Sequence, residues 1–390
     1  MTDLEIVTEL ARQRNVVWLR NEFRFSFRKI LNAEPPPETF NAWYLKEISR
    51  SSNSDPLLPD CVSLEPPKDL MGTSAFAKYA SRSIAVAIPL KKALLDLEIS
   101  TRKLWKAAVE QLAEDVCWCE NNQVGNFQVS MDIAEDGSAC VKLIPPENLE
   151  ISYFTENQSL EYTVIPKYFE KLRKMYSGDE KKFPTFFWLL LHRYTTLLGP
   201  RKSEGRGWQL SVPAGFMEQI SRSVGCMPCE AFASPFNVQP GNSYFSLFKD
   251  TDQFFGSFGN LFSASETFLP EIMEVNPPFE ISMMRRVIGY FLKILEMRES
   301  ESRKFLVFFI LPNWRGSAGI EKLNTSPFLQ FSEILPRGSH RYENGFQHDL
   351  EISSHRLPSW VECDTLIAVL KTSASPSLSL DPSEIAKSWT

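Results

Sequence analysis

The spacing of apolar residues predicts helices through most of the first half of the chain. Residues 1–33 and 70–120 carry apolar side chains at helical intervals, and residues 166–200 return to that pattern. Between them, Phe127–Met131 alternates apolar and polar positions as a strand does. We therefore predict a mainly helical domain with a small β insertion over residues 1–200.

The second half alternates short apolar strands with helices, which indicates an α/β fold. Residues 305–311 are apolar throughout, a pattern typical of the buried centre of a parallel sheet. Such alternation places helices on both faces of a sheet, and we predict this domain over residues 201–375. Residues 376–390 are expected to be a flexible tail. The expected strands are 230–233, 244–248, 272–275, 305–311 and 366–370, and the expected helices are 213–224 and 281–297.

Composition and charge narrow the class of protein. The 390 residues are 43% hydrophobic with a formal net charge of −6, which excludes wholesale disorder and a protein that is basic throughout. The charged N-terminal residues and the irregularly spaced cysteines indicate a reducing compartment. Cys226 and Cys229 lack the second pair that a zinc site needs, so we predict core cysteines and no metal. The longest apolar run, residues 183–191, is shorter than the ~20 residues that span a bilayer, so no membrane partner is expected.

One stretch is nevertheless basic. Residues 167–206 contain ten Lys or Arg and four Asp or Glu, with aromatic residues between them. This composition suits a nucleic-acid backbone, and Arg193 and Lys202 are candidate contacts. The alternative is a pair of solvated helix faces.

The most informative motif is the tetrapeptide Asn276, Pro277, Pro278 and Phe279, which lies between a predicted strand and a predicted helix. Two prolines enforce an extended turn without backbone donors, while their carbonyls and the Asn276 side-chain carbonyl accept hydrogen bonds. These acceptors match the two N–H donors of an exocyclic amine, and Phe279 offers a ring on which a base stacks. The motif suits an adenine N6 amine held next to the methyl group of S-adenosylmethionine. A proline turn without a ligand is the alternative.

Two segments upstream are candidates for binding the cofactor. Residues 230–237 run from a predicted strand into a turn, where the methionine part of S-adenosylmethionine would lie. The candidates there are Phe232, Ser234, Pro235 and Asn237. Asp250 and Asp252 precede a turn at Gly256, and carboxylates suit ribose hydroxyls. The alternatives are a core strand that enters a turn and a solvated loop.

Two further segments are candidates for contacting RNA. Trp314 and Arg315 follow the apolar strand, and a ring beside a guanidinium suits stacking on a base and pairing with phosphate. His340 and Arg341 belong to a polar hairpin candidate. The alternative is that Trp314 closes the core and Arg315 is exposed.

Together these segments resemble one family. The chain is similar to the cap-specific adenosine N6-methyltransferases, also called phosphorylated CTD interacting factors. The resemblance covers about residues 40–370, and its pieces follow the family's order. The matching segments are Ser54–Pro59, Lys167–Leu172, Arg193–Tyr194, Leu198–Gly199, Glu230–Asn237, Asp250–Asp252, Phe255–Ser257, Asn276–Phe279, Pro312–Arg315, His340–Tyr342 and Gly345–His348.

The resemblance implies a helical domain and a Rossmann-like class I methyltransferase domain. It implies S-adenosylmethionine as the donor, and as substrate the 2′-O-methyladenosine beside the 7-methylguanosine cap of mRNA. Asn276–Phe279 would hold the adenine next to the donor. A nuclear location is expected, with the cytoplasm as the alternative. By the same resemblance the cofactor loop would be lined by Phe232, Ser234 and Pro235, and the capped RNA would be contacted by Trp314, Arg315 and His340.

Two departures from the family pattern matter. Animal members carry a WW module that binds the phosphorylated tail of RNA polymerase II. Trp18 and Trp43 do not fit that short three-stranded pattern, so we do not expect this partner. Glu280 follows the tetrapeptide directly, where the family's acid comes one place later, so the contact made by that acid is expected to differ.

Two other functions stay open at this point. One is a non-catalytic RNA-binding or transcription scaffold that keeps the fold. The other is an adenine N6-methyltransferase that acts on internal RNA or on DNA.

Overall fold

The structure is a computed structural model of the chain. The residues that it describes are 2–35, 39–48, 55–59, 84–146, 160–199, 208–314, 317–345, 359–360, 363–376, 384 and 387–389. They divide into two compact units. The first unit comprises Met1–Phe169 and Gly178–Arg206, and the second comprises Glu170–Ser177 and Gly207–Thr390.

Helices build most of the first unit, as the apolar spacing predicts. They are α1 (Asp3–Leu31), α2 (Thr39–Ile48), α3 (Ile84–Asn121), α4 (Pro166–Met175) and α5 (Phe183–Leu198), with a 3-10 turn at Glu180–Lys182. α1 begins with a capping box formed by Thr2 and Glu5 and ends where Asn32 adopts a left-handed conformation. The second half of α4 belongs to the second unit. In the described ranges, no helix is long and apolar enough to cross a membrane.

A small β insertion interrupts the helices of the first unit. It is an antiparallel sheet of β1 (Gln128–Ile133), β2 (Ala139–Ile144) and β3 (Glu161–Val164), in that order. The predicted turn between β1 and β2 is formed around Gly137, whose φ of +80° is a conformation that favours glycine.

A mixed five-stranded sheet forms the centre of the second unit. The strands of this unit are β4 (Leu210–Ser211), β5 (Cys229–Glu230), β6 (Ile272–Val275), β7 (Leu306–Pro312), β8 (Leu329–Leu335), β9 (Arg341–Asn344), β10 (Ser359–Trp360) and β11 (Thr365–Lys371). The order of the central sheet is β5-β6-β7-β11-β8. The first three strands are parallel to one another, whereas β11 is antiparallel to both of its neighbours. The small strands β4, β9 and β10 form a separate sheet.

Helices cover both faces of this sheet. The helices are α6 (Ala214–Val224), α7 (Lys249–Asp252), α8 (Ile281–Ser300) and α9 (Ala318–Asn324), with 3-10 turns at Gln253–Phe255, Leu261–Ser263 and Glu266–Phe268. Phe216 of α6 and Phe308 of β7 belong to one buried cluster. Phe291 of α8 packs edge-to-face on Phe309 of β7, with ring centroids 5.7 Å apart. Because consecutive strand residues point to opposite faces, α6 and α8 lie on opposite sides of the sheet.

The predictions for β6, β7, β11, α6 and α8 are confirmed within three residues at either end. The second unit alternates helices and strands as predicted, but its sheet is mixed rather than parallel. β7 is buried at every position, is parallel to β6 and is antiparallel to β11. The predicted strand at 244–248 is wrong, because only Tyr244 pairs there, through isolated parallel bridges to Glu230 and Ser257. β8 lies outside the sequence-based prediction.

Trp389 lies among the residues predicted to form a flexible tail, yet its side chain belongs to the core. Its ring is 2% exposed and lies 4.6 Å from the ring of Phe216. The indole Nε1 donates a hydrogen bond to the Arg341 carbonyl across 2.6 Å. The prediction is therefore wrong at Trp389, since a large indole with a satisfied N–H stabilises the packed state.

Candidate active site

The chain reverses its direction of travel across the sheet between β5 and β6. Glu230 of β5 pairs with Glu274 of β6 on one side and with Tyr244 on the other. In α/β sheets such a reversal opens a crevice at the carboxyl ends of the strands, where ligands bind. Because β5 and β6 are neighbouring parallel strands, the segment after Glu230 lies next to the segment after Val275. The first is predicted to bind the cofactor and the second to bind the adenine.

A tight turn over Ser234–Asn237 follows β5. The Asn237 Oδ1 accepts hydrogen bonds from the Ser234 backbone N–H at 2.6 Å and from its Oγ at 3.0 Å. Ser234, Pro235 and Asn237 are buried, whereas Phe232 is half-buried. The polar groups of Ser234 and Asn237 therefore stabilise the conformation of the loop. Of the residues in this loop that are predicted to bind the cofactor, Phe232 is the one whose side chain is partly exposed.

Lys171 of α4 closes the far end of the same turn. Its Nζ donates to the carbonyls of Phe236 and Val238 at 2.8 and 2.6 Å. The lysine belongs to the basic stretch expected to contact nucleic acid. In the structure its ammonium group supports the loop instead.

The Gln209–Val212 segment connects the two walls of the crevice. The Gln209 Oε1 accepts from the Ser234 Oγ at 2.5 Å, and the Leu210 carbonyl accepts from the Asn276 Nδ2 at 3.1 Å. The Val212 carbonyl accepts from the Gln239 Nε2 at 2.8 Å. Sequence reasoning missed this segment because two of the three acceptors are backbone carbonyls, which any residue supplies.

The hydrogen bond to Leu210 decides how the Asn276 amide is oriented. A carbonyl accepts hydrogen bonds and cannot donate one, so the Asn276 NH2 group must face it. The Asn276 Oδ1 is consequently directed away from Leu210, as an acceptor. Asn276 is 8% exposed, which limits the motion of its side chain.

The rest of the tetrapeptide is partly engaged within the unit. Pro277 is buried and Pro278 is half-buried. The Pro278 carbonyl accepts from the Glu280 N–H across 2.7 Å, so this carbonyl, which we expected to be open, is used in a turn. The half-buried Phe279 packs edge-to-face on Tyr342, with ring centroids 5.9 Å apart. That contact fixes the tilt of the ring.

Glu280 caps the helix that follows the tetrapeptide. Its carboxylate accepts from the Met283 backbone N–H at 2.7 Å and from the Ser282 hydroxyl. An acid in this place stabilises the start of α8. Glu280 thus has a local structural role as the N-terminal cap of α8.

The two candidate aspartates differ sharply in environment. Asp250 is exposed on α7, whereas Asp252 is buried and accepts from the Thr251 hydroxyl at 2.8 Å. Gly256 is exposed with a φ of +90°, a conformation that favours glycine. Of the two carboxylates, Asp250 is the one presented at the surface.

Two residues predicted to contact RNA are buried, which corrects the prediction. His340 is 2% exposed, with its Nε2 bonded to the Thr365 hydroxyl at 2.7 Å and its Nδ1 to the Pro336 carbonyl at 3.1 Å. Burial lowers the pKa of His340, so the ring is neutral in the core. Arg193 of the first unit is 1% exposed and forms a two-pronged ion pair with Glu9 at 2.5 and 2.7 Å. Arg193 stabilises the packing of the first unit, and His340 stabilises that of the second.

The other predicted RNA contacts fall in three groups. Arg315 and Lys202 lie outside the described residues. Trp314 is half-exposed directly after β7, at the carboxyl end of that strand. Arg341 is half-exposed on β9.

Glu230 and Glu274 place two carboxyl groups side by side beneath the crevice. They are direct neighbours in the parallel register and are 4% and 2% exposed. The Glu230 Oε1 accepts from the Gln239 N–H and the Asn242 Nδ2, both at 2.8 Å. Burial raises the pKa of Glu230 to about 7, and burial together with the Glu230 carboxylate raises the pKa of Glu274 well above its usual range. Sequence reasoning missed this pair, because strand register is needed to bring the two residues together.

The lone CxxC pair is split between surface and core. Cys229 is buried, and burial raises the pKa of its thiol to about 12. Cys226 is exposed, so the prediction of a core position is wrong for it. Within the described part of the chain, no group of three or more His, Cys, Asp or Glu is arranged to hold a metal ion.

One family model and two curated relatives are similar to this chain. Residues 166–345 match the family model described as "Phosphorylated CTD interacting factor 1 WW domain". In this chain the described part of that stretch runs from α4 to β9 and includes the parallel strands.

Two curated relatives carry the name mRNA (2'-O-methyladenosine-N(6)-)-methyltransferase. The human protein is 35% identical over 432 residues, covering 87% of this chain and 60% of that protein. The mouse protein is 35% identical over 193 residues, covering 47% of this chain and 26% of that protein. The chain thus spans less than two thirds of either relative. The chain is therefore similar to the phosphorylated CTD interacting factor family model over residues 166–345 and to the human methyltransferase along 87% of its own length.

Proposed function

We propose that this protein is an S-adenosylmethionine-dependent RNA methyltransferase that methylates N6 of the 2′-O-methyladenosine beside the mRNA cap. The observation that carries the proposal is the orientation of Asn276. Its NH2 group is bound to the Leu210 carbonyl, so its Oδ1 faces away from that carbonyl as an acceptor. The half-buried Phe279 ring follows three residues later in the chain. The names of the human and mouse relatives support the same substrate.

We further propose that the second unit is Rossmann-like. Three parallel strands, helices on both faces and a reversal between β5 and β6 support this fold. The reversal is where such folds bind nucleotide-containing ligands.

The residues after β5 fit the donor. Phe232 offers a half-exposed ring and Asp250 an exposed carboxylate, while the Ser234–Asn237 turn is rigid before any ligand arrives. S-adenosylmethionine supplies an electrophilic methyl group when it is bound. Binding at a rigid turn needs little further ordering of the loop, which favours affinity.

Asn276 and Phe279 orient the target adenine. The Asn276 Oδ1 accepts one N6 hydrogen, which restrains the amine and directs its lone pair. Phe279 supports one face of the base, a contact worth roughly 1–3 kcal/mol. Catalysis then rests on orientation, and the surplus N6 proton leaves to water, so no general base is assigned.

The proposed partner is capped mRNA, and the proposed location is the nucleus. The description of the family model also names the phosphorylated CTD and a WW domain. We do not extend that partner to this chain, since its described residues within 166–345 form several helices and the parallel strands β5, β6 and β7 rather than a short three-stranded module.

One assay tests the function directly. The protein is incubated with S-adenosylmethionine and either a capped RNA that begins with 2′-O-methyladenosine or the same RNA without a cap. Nucleosides are then quantified by mass spectrometry. We expect N6,2′-O-dimethyladenosine from the capped RNA alone. Methylation of internal adenosines would favour the internal methyltransferase, and no turnover together with no calorimetric binding of S-adenosylmethionine would favour the scaffold.

A further inference from the structure

An arginine stacked on an aromatic ring borders the crevice on the side of α8. The guanidinium carbon of Arg286 lies 3.7 Å from the ring centroid of Phe262. Phe262 in turn lies 6.0 Å from Phe232 and packs edge-to-face on Tyr290 at 5.4 Å. All four side chains are half-buried. The arginine is therefore held in one place and still reaches the surface.

The position of this stack relates it to the proposed active site. Phe232 comes two residues after Glu230, and Asn276 comes two residues after Glu274. Since Glu230 and Glu274 are direct neighbours in the register, Phe232 and Asn276 emerge side by side. Arg286 lies on α8, the helix that the tetrapeptide leads into. The opposite face of the sheet carries the Gln209–Val212 segment and α6, so Arg286 borders the other side.

The chemistry of the stack favours an anion over the methyl donor. A guanidinium lying flat on a ring keeps its N–H groups at its edge, where they pair with phosphate oxygens in a fork. The donor has no phosphate, and its single carboxylate is outweighed by an ammonium and a sulfonium group, so a fixed cation gains less from it than from an RNA chain. An RNA chain carries a phosphodiester next to every nucleoside. Arg285, exposed on the same helix, adds a second positive charge.

We propose that Arg286, held on Phe262, binds a phosphodiester of the RNA next to the target adenosine. The proposal rests on the proposed function in naming RNA as the ligand. It assigns the RNA path to the α8 side of the crevice. Lysine cannot replace this arginine fully, because an ammonium group neither stacks flat nor offers a planar fork.

The test compares Arg286→Ala and Arg286→Lys with the control Arg222→Ala. Arg222 is an arginine on α6, on the other face of the sheet, with a side chain 71% exposed. KM values for capped RNA and for S-adenosylmethionine are measured separately, and RNA binding is measured against salt concentration. We expect Arg286→Ala to raise the RNA KM about tenfold and to lower the salt slope by about 1. Arg286→Lys should retain the salt slope and lose part of the affinity.

Two results would overturn the proposal. One is an RNA KM and a salt slope for Arg286→Ala equal to those of the control. The other is an effect on the donor KM alone, which would place Arg286 in the donor site. Absence of turnover by the wild type on capped RNA would count against the proposed function instead, and the binding measurements would still decide the role of Arg286.

Discussion

The side chain of Asn276 is tied to the backbone of Leu210, whose carbonyl accepts its Nδ2 hydrogen across 3.1 Å. The two residues lie 66 positions apart in the chain. This single bond sets the direction of the acceptor on which the proposed chemistry depends. A side chain fixed before the substrate arrives needs no reorganisation when it binds.

Replacing Asn276 with alanine should abolish turnover and leave the fold intact. The variant loses the acceptor for the amine and one hydrogen bond, worth about 1 kcal/mol of stability. We expect kcat to fall by about 100-fold or more and the melting temperature to change by only a few degrees. Turnover on capped RNA and thermal unfolding check both expectations. Normal turnover by Asn276→Ala would contradict the proposed mechanism.

Removing the Phe279 ring should weaken the binding of RNA. Stacking of a base contributes roughly 1–3 kcal/mol, so KM for RNA should rise about tenfold or more in Phe279→Leu. Leucine keeps apolar contact with Tyr342, which limits the loss of stability. The matched control is Phe268→Leu, at a phenylalanine that is 85% exposed. Equal KM values for the two variants would mean that no base stacks on Phe279.

A methyl group at position 345 should distort the loop proposed to bind the donor. In Gly345→Ala the new Cβ would lie 2.2 Å from the Cβ and 2.6 Å from the Cα of Asn237. Because backbone cannot yield as a flexible side chain does, the Ser234–Asn237 turn must move. We expect a loss of about 1–3 kcal/mol in the free energy of unfolding and weaker calorimetric binding of S-adenosylmethionine.

The control for that experiment is the same substitution at Gly289. This glycine lies inside α8, and a Cβ there would meet no atom within 4 Å. Gly289→Ala should stabilise the protein by about 0.5–1 kcal/mol through helix propensity. Donor affinity equal in the two variants would show that Asn237 does not shape the donor site.

The neighbouring carboxyls of Glu230 and Glu274 should make stability fall as pH rises. Both folded pKa values are raised above the usual 4.5, that of Glu230 to about 7. The protonated carboxyls therefore contribute fully to the stability of the fold below pH 4.5, and this contribution is lost as the pH increases through about 7. We expect the melting temperature to fall between pH 5 and 8, and to fall less in Glu274→Gln, which leaves one raised carboxyl instead of two.

The matched control is Glu296→Gln, at an exposed position of α8. Of the neighbouring groups, Lys171 faces Glu230 as a cation, and burial raises the pKa values of Cys229, Tyr244 and Tyr342, which stay neutral in this range. If the melting curves of Glu274→Gln and Glu296→Gln kept the same pH dependence, the carboxyl pair would not be the cause.

Local patterns were sufficient for the elements that position the adenine motif. β6 and α8 follow from an apolar run, two prolines and helical spacing within residues 272–300, and the structure has them there. The prediction of a strand at 244–248 is wrong because the apolar residues around Tyr244 have the composition of a strand. Whether they pair depends on Glu230 and Ser257, and only Tyr244 is bridged to them.

Long-range contacts explain the corrected residues. Arg193 belongs to the basic stretch and His340 to the polar hairpin candidate, and both patterns predict contacts with RNA. Arg193 pairs with Glu9, 184 residues away, and His340 with Thr365, 25 residues away. A local sequence pattern does not predict contacts over such separations. The role of the Leu210 carbonyl could not be predicted from the sequence for a different reason. Every residue has a backbone carbonyl, so the identity of residue 210 does not indicate which group it accepts from.

The Gln209–Val212 segment also links the two proposed ligands thermodynamically. It is bonded to Ser234 on the donor side and to Asn276 on the adenine side. A ligand that restricts the motion of one side restricts the shared support, so the second ligand has less conformational entropy left to remove. Donor and RNA should consequently bind with positive and reciprocal cooperativity without any displacement of the backbone.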